Sequence, residues 1–289
     1  MAPVTYDDIV EIRANDPARI ARAVGQRRRP TPDPDRKLLI IAADHPARGA
    51  LAAGPRAMAM ADRRELLGRI AEALNRPGVD GFLGTADLVE ELALLGALEG
   101  KLVYGSMNRG GLAGASFELD DRFTGYDAAG IADSGLDGGK MLLRIDYEDP
   151  ASVATLEACA HAVDDLAREE LVAMVEPFLS HRVDGRVRNV LSPEAVITSI
   201  TIASGLGRTS ARTWLKLPVV DEMERVMAST TLPSLILGGE VSDDADSALA
   251  GWGKAVSIPN VKGLVIGRAL LFPPDDDVAG AVDAAASLL

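Results

Sequence analysis

The sequence holds a single cysteine, Cys159, so an internal disulfide framework is excluded. Its three histidines, His45, His161 and His181, stand far apart, and no HExxH, CxxC or similar metal-ligand spacing occurs. No run approaches the roughly eighteen apolar residues that span a bilayer. The N-terminus, MAPVTYDDIVEI, is acidic and lacks the charged and apolar regions of a signal peptide. Positive charge is in short supply too. A net charge of −13 argues against a broad basic face for nucleic acid or an anionic membrane. These absences predict a cytoplasmic protein with no nucleic-acid or membrane partner, no dedicated metal site and no cofactor.

What is present is an ordinary globular composition, 47 % apolar and 25 % charged, in a chain of 289 residues that can bury a large core. Residues 5–27 read as a helix broken near Pro17 and closed by the turn RRRPTPDPD. Eight short, β-rich apolar runs follow, at 37–43, 78–84, 101–106, 140–145, 171–176, 211–217, 234–239 and 263–268. Helical patterns lie between or after them, at 56–75, 85–98, 151–168, 193–204, 219–228, 243–254 and 278–289. Eight βα units over about 250 residues predict a (β/α)₈ barrel at 37–289, with an open doubly wound sheet as the rival. Residues 1–36 then form an N-terminal helical extension that caps the barrel floor or packs on a partner. One connection, 106–138, is long and glycine-rich, either a substrate-contacting loop or a surface excursion.

In such a barrel the C-terminal strand ends build the site. The sixth run, in TWLKLPVV, carries Lys216 among apolar residues. A neutral amine there is a nucleophile toward carbonyls, and desolvation with nearby cations, here Lys140 and Arg144 of the fourth run, makes deprotonation easier. A lysine that snorkels to solvent or pairs with a carboxylate is the plainer alternative, and from the strand alone the stronger one. Glu176 closes LVAMVE, where apolar surroundings are expected to raise a carboxyl pKa and suit it to acid–base work; a structural ion pair is the alternative. Asp44 ends the first run, to orient a nucleophile, bind a hydroxyl or cap a helix. Gly238-Gly239 and Gly267-Arg268 end the last two runs. Backbone N–H groups there bind phosphate in many barrels, and with both ends on the final two runs that reading is preferred to glycines that only permit tight packing.

Taken together, the strand ends resemble the class I, Schiff-base aldolases of the barrel group that includes tagatose-bisphosphate, archaeal-type fructose-bisphosphate and deoxyribose-phosphate aldolases. The most specific stretch is TWLKLPVVDEMERVMASTTLPSLILGGE, with AADHPARG, GGKMLLRID and VEPF beside it. The resemblance implies Lys216 as the Schiff-base lysine, Glu176 as acid/base, and Asp44 and Lys140 as further catalytic groups. It assigns the phosphate to Gly238, Gly239, Gly267 and Arg268; Arg144 is added as a substrate contact, and Arg48, Arg109 or Arg144 is expected to receive the carboxylate of an acid substrate. Deoxyribose-phosphate aldolases carry a second lysine on the seventh strand, where this chain has Ser234-Leu235-Ile236-Leu237. The chain as a whole is most similar to aldolase-like proteins of inositol catabolism in actinobacteria. The implied partner is a small-molecule sugar phosphate, and a homo-oligomer is expected. The rivals are a deoxyribose-phosphate-type aldolase, a metal-assisted lyase or isomerase using Asp44, Asp146 and Glu176, and a non-catalytic sugar-phosphate-binding regulator.

Overall fold

A computed structural model describes residues 4–31, 33, 35–239, 241 and 244–289. Nine strands are present among them: β1 Leu38–Ala42, β2 Gly81–Gly84, β3 Leu102–Ser106, β4 Gly138–Ile145, β5 Val172–Val183, β6 Arg186–Asn189, β7 Thr213–Leu217, β8 Ser234–Leu237 and β9 Val261–Ile266. All except β6 pair in parallel in the order β1-β2-β3-β4-β5-β7-β8-β9, and β9 pairs back onto β1 from Leu38↔Gly263 to Ile41↔Ile266. The fold is therefore a closed (β/α)₈ barrel, with no place for the open-sheet rival. The helices are α1 Tyr6–Asn15, α2 Ala18–Gly25, α3 Arg63–Leu74, α4 Ala86–Leu94, α5 Ala128–Asp133, α6 Ala151–Arg168, α7 Pro193–Ser204, α8 Met223–Met227, α9 Ala245–Val256, α10 Arg268–Leu271 and α11 Val278–Ala286. Helices α6 and α7 fall on the expected bounds. The expected helix at 56–75 starts only where Asp62 caps the Glu65 N–H. Residue 243, where the helix before β9 was expected to begin, lies outside the described residues, as do 1–3, 32 and 34 of the extension.

Strand periodicity sorts the side chains into two cores. Leu39, Ile41, Met141, Leu143, Ile145, Leu215, Leu217, Leu264 and Ile266 face the helices. The alternate positions Ile40, Ala42, Tyr104, Met174, Leu235 and Val265 fill the barrel interior. Each fully buried aliphatic contributes about 1.5–3 kcal/mol, which helps offset the cost of holding charge above this plug. Helices α1 and α2 place Ile9, Ile12, Ile20 and Val24 in the outer core, and Arg27 pairs with Asp137 at 3.1 Å. The extension thus packs on its own barrel.

Two local departures shape the mouth of the barrel. Strand β5 was expected to stop before Pro177 but continues to Val183. Its pairing to β7 ends at Val175↔Leu215, whereas its pairing to β4 runs on to Ile145↔Leu179. The Ala173 N–H points toward β7, so by alternation the missing N–H of Pro177 falls on that vacated edge and costs no ladder bond. Strand β6 then turns back antiparallel on the same edge. Strand β3, for its part, ends at Ser106, and the Asn108 side chain takes over its role. Its amide donates to the Leu142 carbonyl at 2.6 Å and accepts from the Leu142 N–H at 2.7 Å.

Candidate active site

The interior parity that buries Ile40 and Ala42 also turns Asp44 inward just beyond β1, and the same parity brings Ser106, Lys140, Glu176 and Lys216 inward. They meet above the apolar plug. Glu176 lies between the two lysines, its Oε1 3.1 Å from Lys216 Nζ and its Oε2 in contact with Lys140 Nζ. Lys140 also reaches Asp44 Oδ2 at 3.3 Å. That oxygen also pairs with Arg109 Nη2 at 2.7 Å, an ion pair without hydrogen-bond alignment, and accepts from the Ser106 hydroxyl at 3.1 Å. The result is a continuous chain of charge, Arg109–Asp44–Lys140–Glu176–Lys216, with Lys140 1 % and Lys216 3 % exposed. The four residues expected to carry catalysis are thus gathered in one place.

The electrostatics differ from expectation at Glu176. Burial alone would raise its carboxyl, as its apolar strand suggested, but Lys140 and Lys216 outweigh burial and bring it down to about 2. It stands ionised between them. Burial likewise acts to raise Asp44, and Arg109 first, then Lys140, overcome it and hold the carboxyl well below its ordinary range. Lys140 is lowered to about 8, by burial first and by Arg109 second. His45 follows Asp44 with its Nδ1 3.8 Å from Asp44 Oδ1, too far for a hydrogen bond. That nitrogen is buried without a partner, and burial lowers the imidazole so that it stays neutral.

Arg144 has a different place. Its guanidinium takes Glu118 Oε1 at 3.0 Å and Asp121 Oδ2 at 2.8 Å, on the loop after β3. Arg48 joins Glu118 at 3.3 Å. The cation expected from Arg144 is supplied to the lysines by Arg109 instead. The Arg144 side chain is turned to the loop because Glu118 and Asp121, both buried, need a partner there. Asp146 does not join Asp44 and Glu176, and its carboxylate accepts from the Glu148 N–H at 3.0 Å. Among the described residues no group of three or more His, Cys, Asp and Glu is arranged to hold a metal ion. Nor is any helix among them long and apolar enough to cross a membrane.

At the last two strand ends, a Cβ on Gly238 would lie 2.5 Å from the Ile266 side chain, and one on Gly267 2.4 Å from the Ala42 carbonyl oxygen. Packing accounts for both glycines. Gly239 differs, with φ +73 and open space around it. Arg268 is half-buried, donates to the Ala52 carbonyl at 3.4 Å and keeps a buried Nε without a partner.

Sequence reading offered Arg109 and Arg48 only as partners for a substrate carboxylate, whereas Arg109 sits against Asp44 and Arg48 against Glu118; it missed Ser106 and the Glu118–Asp121 pair. Ser106 had a signal in its inward parity at the end of β3. The others lie in a loop where no periodicity predicts direction.

Comparison with known proteins places this geometry in context. No curated protein sequence matches the chain. Cgl0159 from Corynebacterium glutamicum (Brevibacterium flavum) is 54 % identical, covers 98 % of this chain and 96 % of its own, and superposes with a TM-score of 0.96. An archaeal fructose 1,6-bisphosphate aldolase shares the fold at 16 % identity, covering 93 % of this chain and 98 % of its own, TM-score 0.65. A Schiff-base-forming fructose-1,6-bisphosphate aldolase does so at 17 % identity, covering 93 % and 99 %, TM-score 0.64. A family model described as Cgl0159-like matches residues 36–286, and the chain belongs to the Cgl0159-like family.

Proposed function

We propose that the protein is a class I aldolase that cleaves a phosphorylated keto-sugar or keto-sugar acid through a Schiff base on Lys216. The observation that carries this reading is the pair of buried lysines on either side of one carboxylate, Lys216–Glu176–Lys140, inside a barrel. Solved Schiff-base aldolases share that barrel. A buried cluster with an amine and a carboxylate 3.1 Å apart has both parts the chemistry needs. The Lys216 amine attacks the ketone carbon, water leaves, and a protonated imine remains as an electron sink. Glu176 takes the proton of the β-hydroxyl, and the carbon–carbon bond breaks toward the imine, so that an aldehyde and an enamine form. The Glu176 carboxyl returns a proton to the enamine carbon, and water releases the ketone product. Lys140 and Asp44 assist proton transfer and hold hydroxyls.

The finer assignment is that the substrate phosphate sits at Gly238, Gly239, Gly267 and Arg268, so that dihydroxyacetone phosphate is the ketone product. The resemblance to inositol-catabolism proteins favours 5-dehydro-2-deoxygluconate 6-phosphate, with malonate semialdehyde as the other product. The second lysine of this site comes from β4, and the inward β8 position holds Leu235 in the apolar plug, which disfavours the deoxyribose-phosphate type. The test is borohydride reduction with a panel of 5-dehydro-2-deoxygluconate 6-phosphate, fructose and tagatose bisphosphates, and the aldose deoxyribose phosphate, followed by peptide mapping. The expected adduct is on Lys216, and Lys216→Met abolishes both adduct and turnover. Label on Lys140 alone, or none with a substrate that turns over, overturns the reading.

A further inference from the structure

Arg109 is neither on a strand nor within the repeating pattern, yet it is 5 % exposed and held by one ion pair and two hydrogen bonds. Its Nη2 holds Asp44 Oδ2 at 2.7 Å. Its Nε donates to the Ser106 hydroxyl at 2.9 Å, and that hydroxyl in turn donates to Asp44. Its own N–H donates to Thr124 Oγ1 at 3.3 Å, and Asn108 before it is locked to the backbone of β4. A guanidinium fixed this firmly beside a lysine–carboxylate pair alters the charge balance of the whole site.

With both lysines protonated, Lys140, Lys216 and Arg109 bring three positive charges against the two of Asp44 and Glu176. The cluster balances only when one lysine is neutral. Without Arg109 it would balance with both lysines charged, and burial alone would be left to drive a proton off. The other groups near Lys140 leave this count unchanged. His45 is neutral, Cys159 on α6 has its thiol pushed up to about 12 by burial, and β2 and β8 turn Leu83 and Leu235 inward. Arg268 acts on His45 and is not among the main charges acting on Lys140.

We propose that Arg109 is a positioning residue for proton transfer: a cation carried in by the loop after β3, it occupies Asp44 so that the cluster holds one proton fewer and Lys140 gives that proton up. An arginine suits this task because it keeps its own charge at any working pH. The catalytic use of the vacancy rests on the aldolase reading, in which a neutral Lys140 can take a proton from Glu176 while Lys216 carries the imine. The vacancy itself does not depend on that reading.

The chain has six lysines, so the side-chain carbons of ¹³C-labelled lysine can be followed individually by NMR as pH rises, with Lys140→Arg and Lys216→Arg identifying the buried pair. In the wild type Lys140 is expected to titrate well before the surface lysines. Arg109→Gln should raise its proton affinity on the order of tenfold or more, and Arg109→Lys should leave it near the wild-type value. The double variant Arg109→Gln/Asp44→Asn should bring it back down, because it leaves two lysines facing the single charge of Glu176. A residue that only holds the loop in place would not produce that reversal. If Lys140 titrates with the surface lysines in the wild type, or Arg109→Gln leaves it unmoved, the inference is overturned; the wild-type measurement stands even where a variant fails to fold. Borohydride trapping separates the two ideas. A shifted titration without any adduct defeats only the aldolase reading, and an adduct with an unshifted titration defeats only the role of Arg109.

Discussion

Two buried ionic clusters stand at the same end of this barrel, and they are built from different cations. Around Glu118 and Asp121 the cations are Arg48 and Arg144, two against two, and neither arginine can release a proton. Around Asp44 and Glu176 two of the three cations are lysines, three against two. The first cluster has one charge state and can only hold the loop. The second has an excess that a titratable amine can resolve. Burial and ion pairing are common to both, so neither property by itself marks a reacting centre; the ability to change protonation is what the proposed aldolase chemistry requires.

The sharpest way to break the comparison is in the lysine cluster. Glu176→Gln should still trap substrate on Lys216 but slow cleavage by roughly 10²–10⁴-fold, read as single-turnover rates. Near-normal turnover would move the proton-transfer role to another group. In the arginine cluster Arg144→Met leaves Glu118 and Asp121 short of a partner and should cost about 3–5 kcal/mol of stability by denaturant unfolding, with the Lys140 titration left in place. A shifted titration would show that the two clusters are one.

The smallest effect is in the dependence of stability on pH. The folded value of Lys140, about 8, lies below the ordinary 10.5. Between these values the unfolded chain binds the extra proton, so this group makes stability rise with pH across that window, by at most about 1.4 kcal/mol per unit. Glu176 acts at the other end. Lowered from 4.5 to about 2, it contributes stability that is fully present above the upper value and is lost as pH falls toward the lower. Unfolding of Arg109→Gln should show a narrower alkaline rise than wild type, whereas Arg144→Met should keep it.

What the sequence made legible follows from periodicity. Eight apolar runs separated by helical patterns specified the barrel, and parity placed Asp44, Lys140, Glu176 and Lys216 on its interior. Parity also turned Arg144 inward, but it cannot say which partner a long side chain reaches, and loop carboxylates took this one. The carboxyl of Glu176 was misjudged for a related reason. Its strand neighbours argue for an acid that keeps its proton, and only the assembled barrel reveals a lysine on each side. Arg109 was read as one of three arginines open to a substrate carboxylate; its place against Asp44 was illegible because its direction depends on a side-chain amide and a hydroxyl, contacts that leave no repeating trace in sequence.

The amide of Asn108, where β3 gives way to its loop, sets a limit on how long the site outlasts heating. Beyond the bond of the Met107 N–H to the Lys140 carbonyl, its two hydrogen bonds to Leu142 tie the start of the loop to β4. A local opening that releases them needs far less free energy than melting the barrel. It would free Arg109 from Asp44 while the strands stay paired. Inactivation by heat should therefore precede loss of secondary structure, and a protein that looks intact by circular dichroism would already have lost its lysine chemistry.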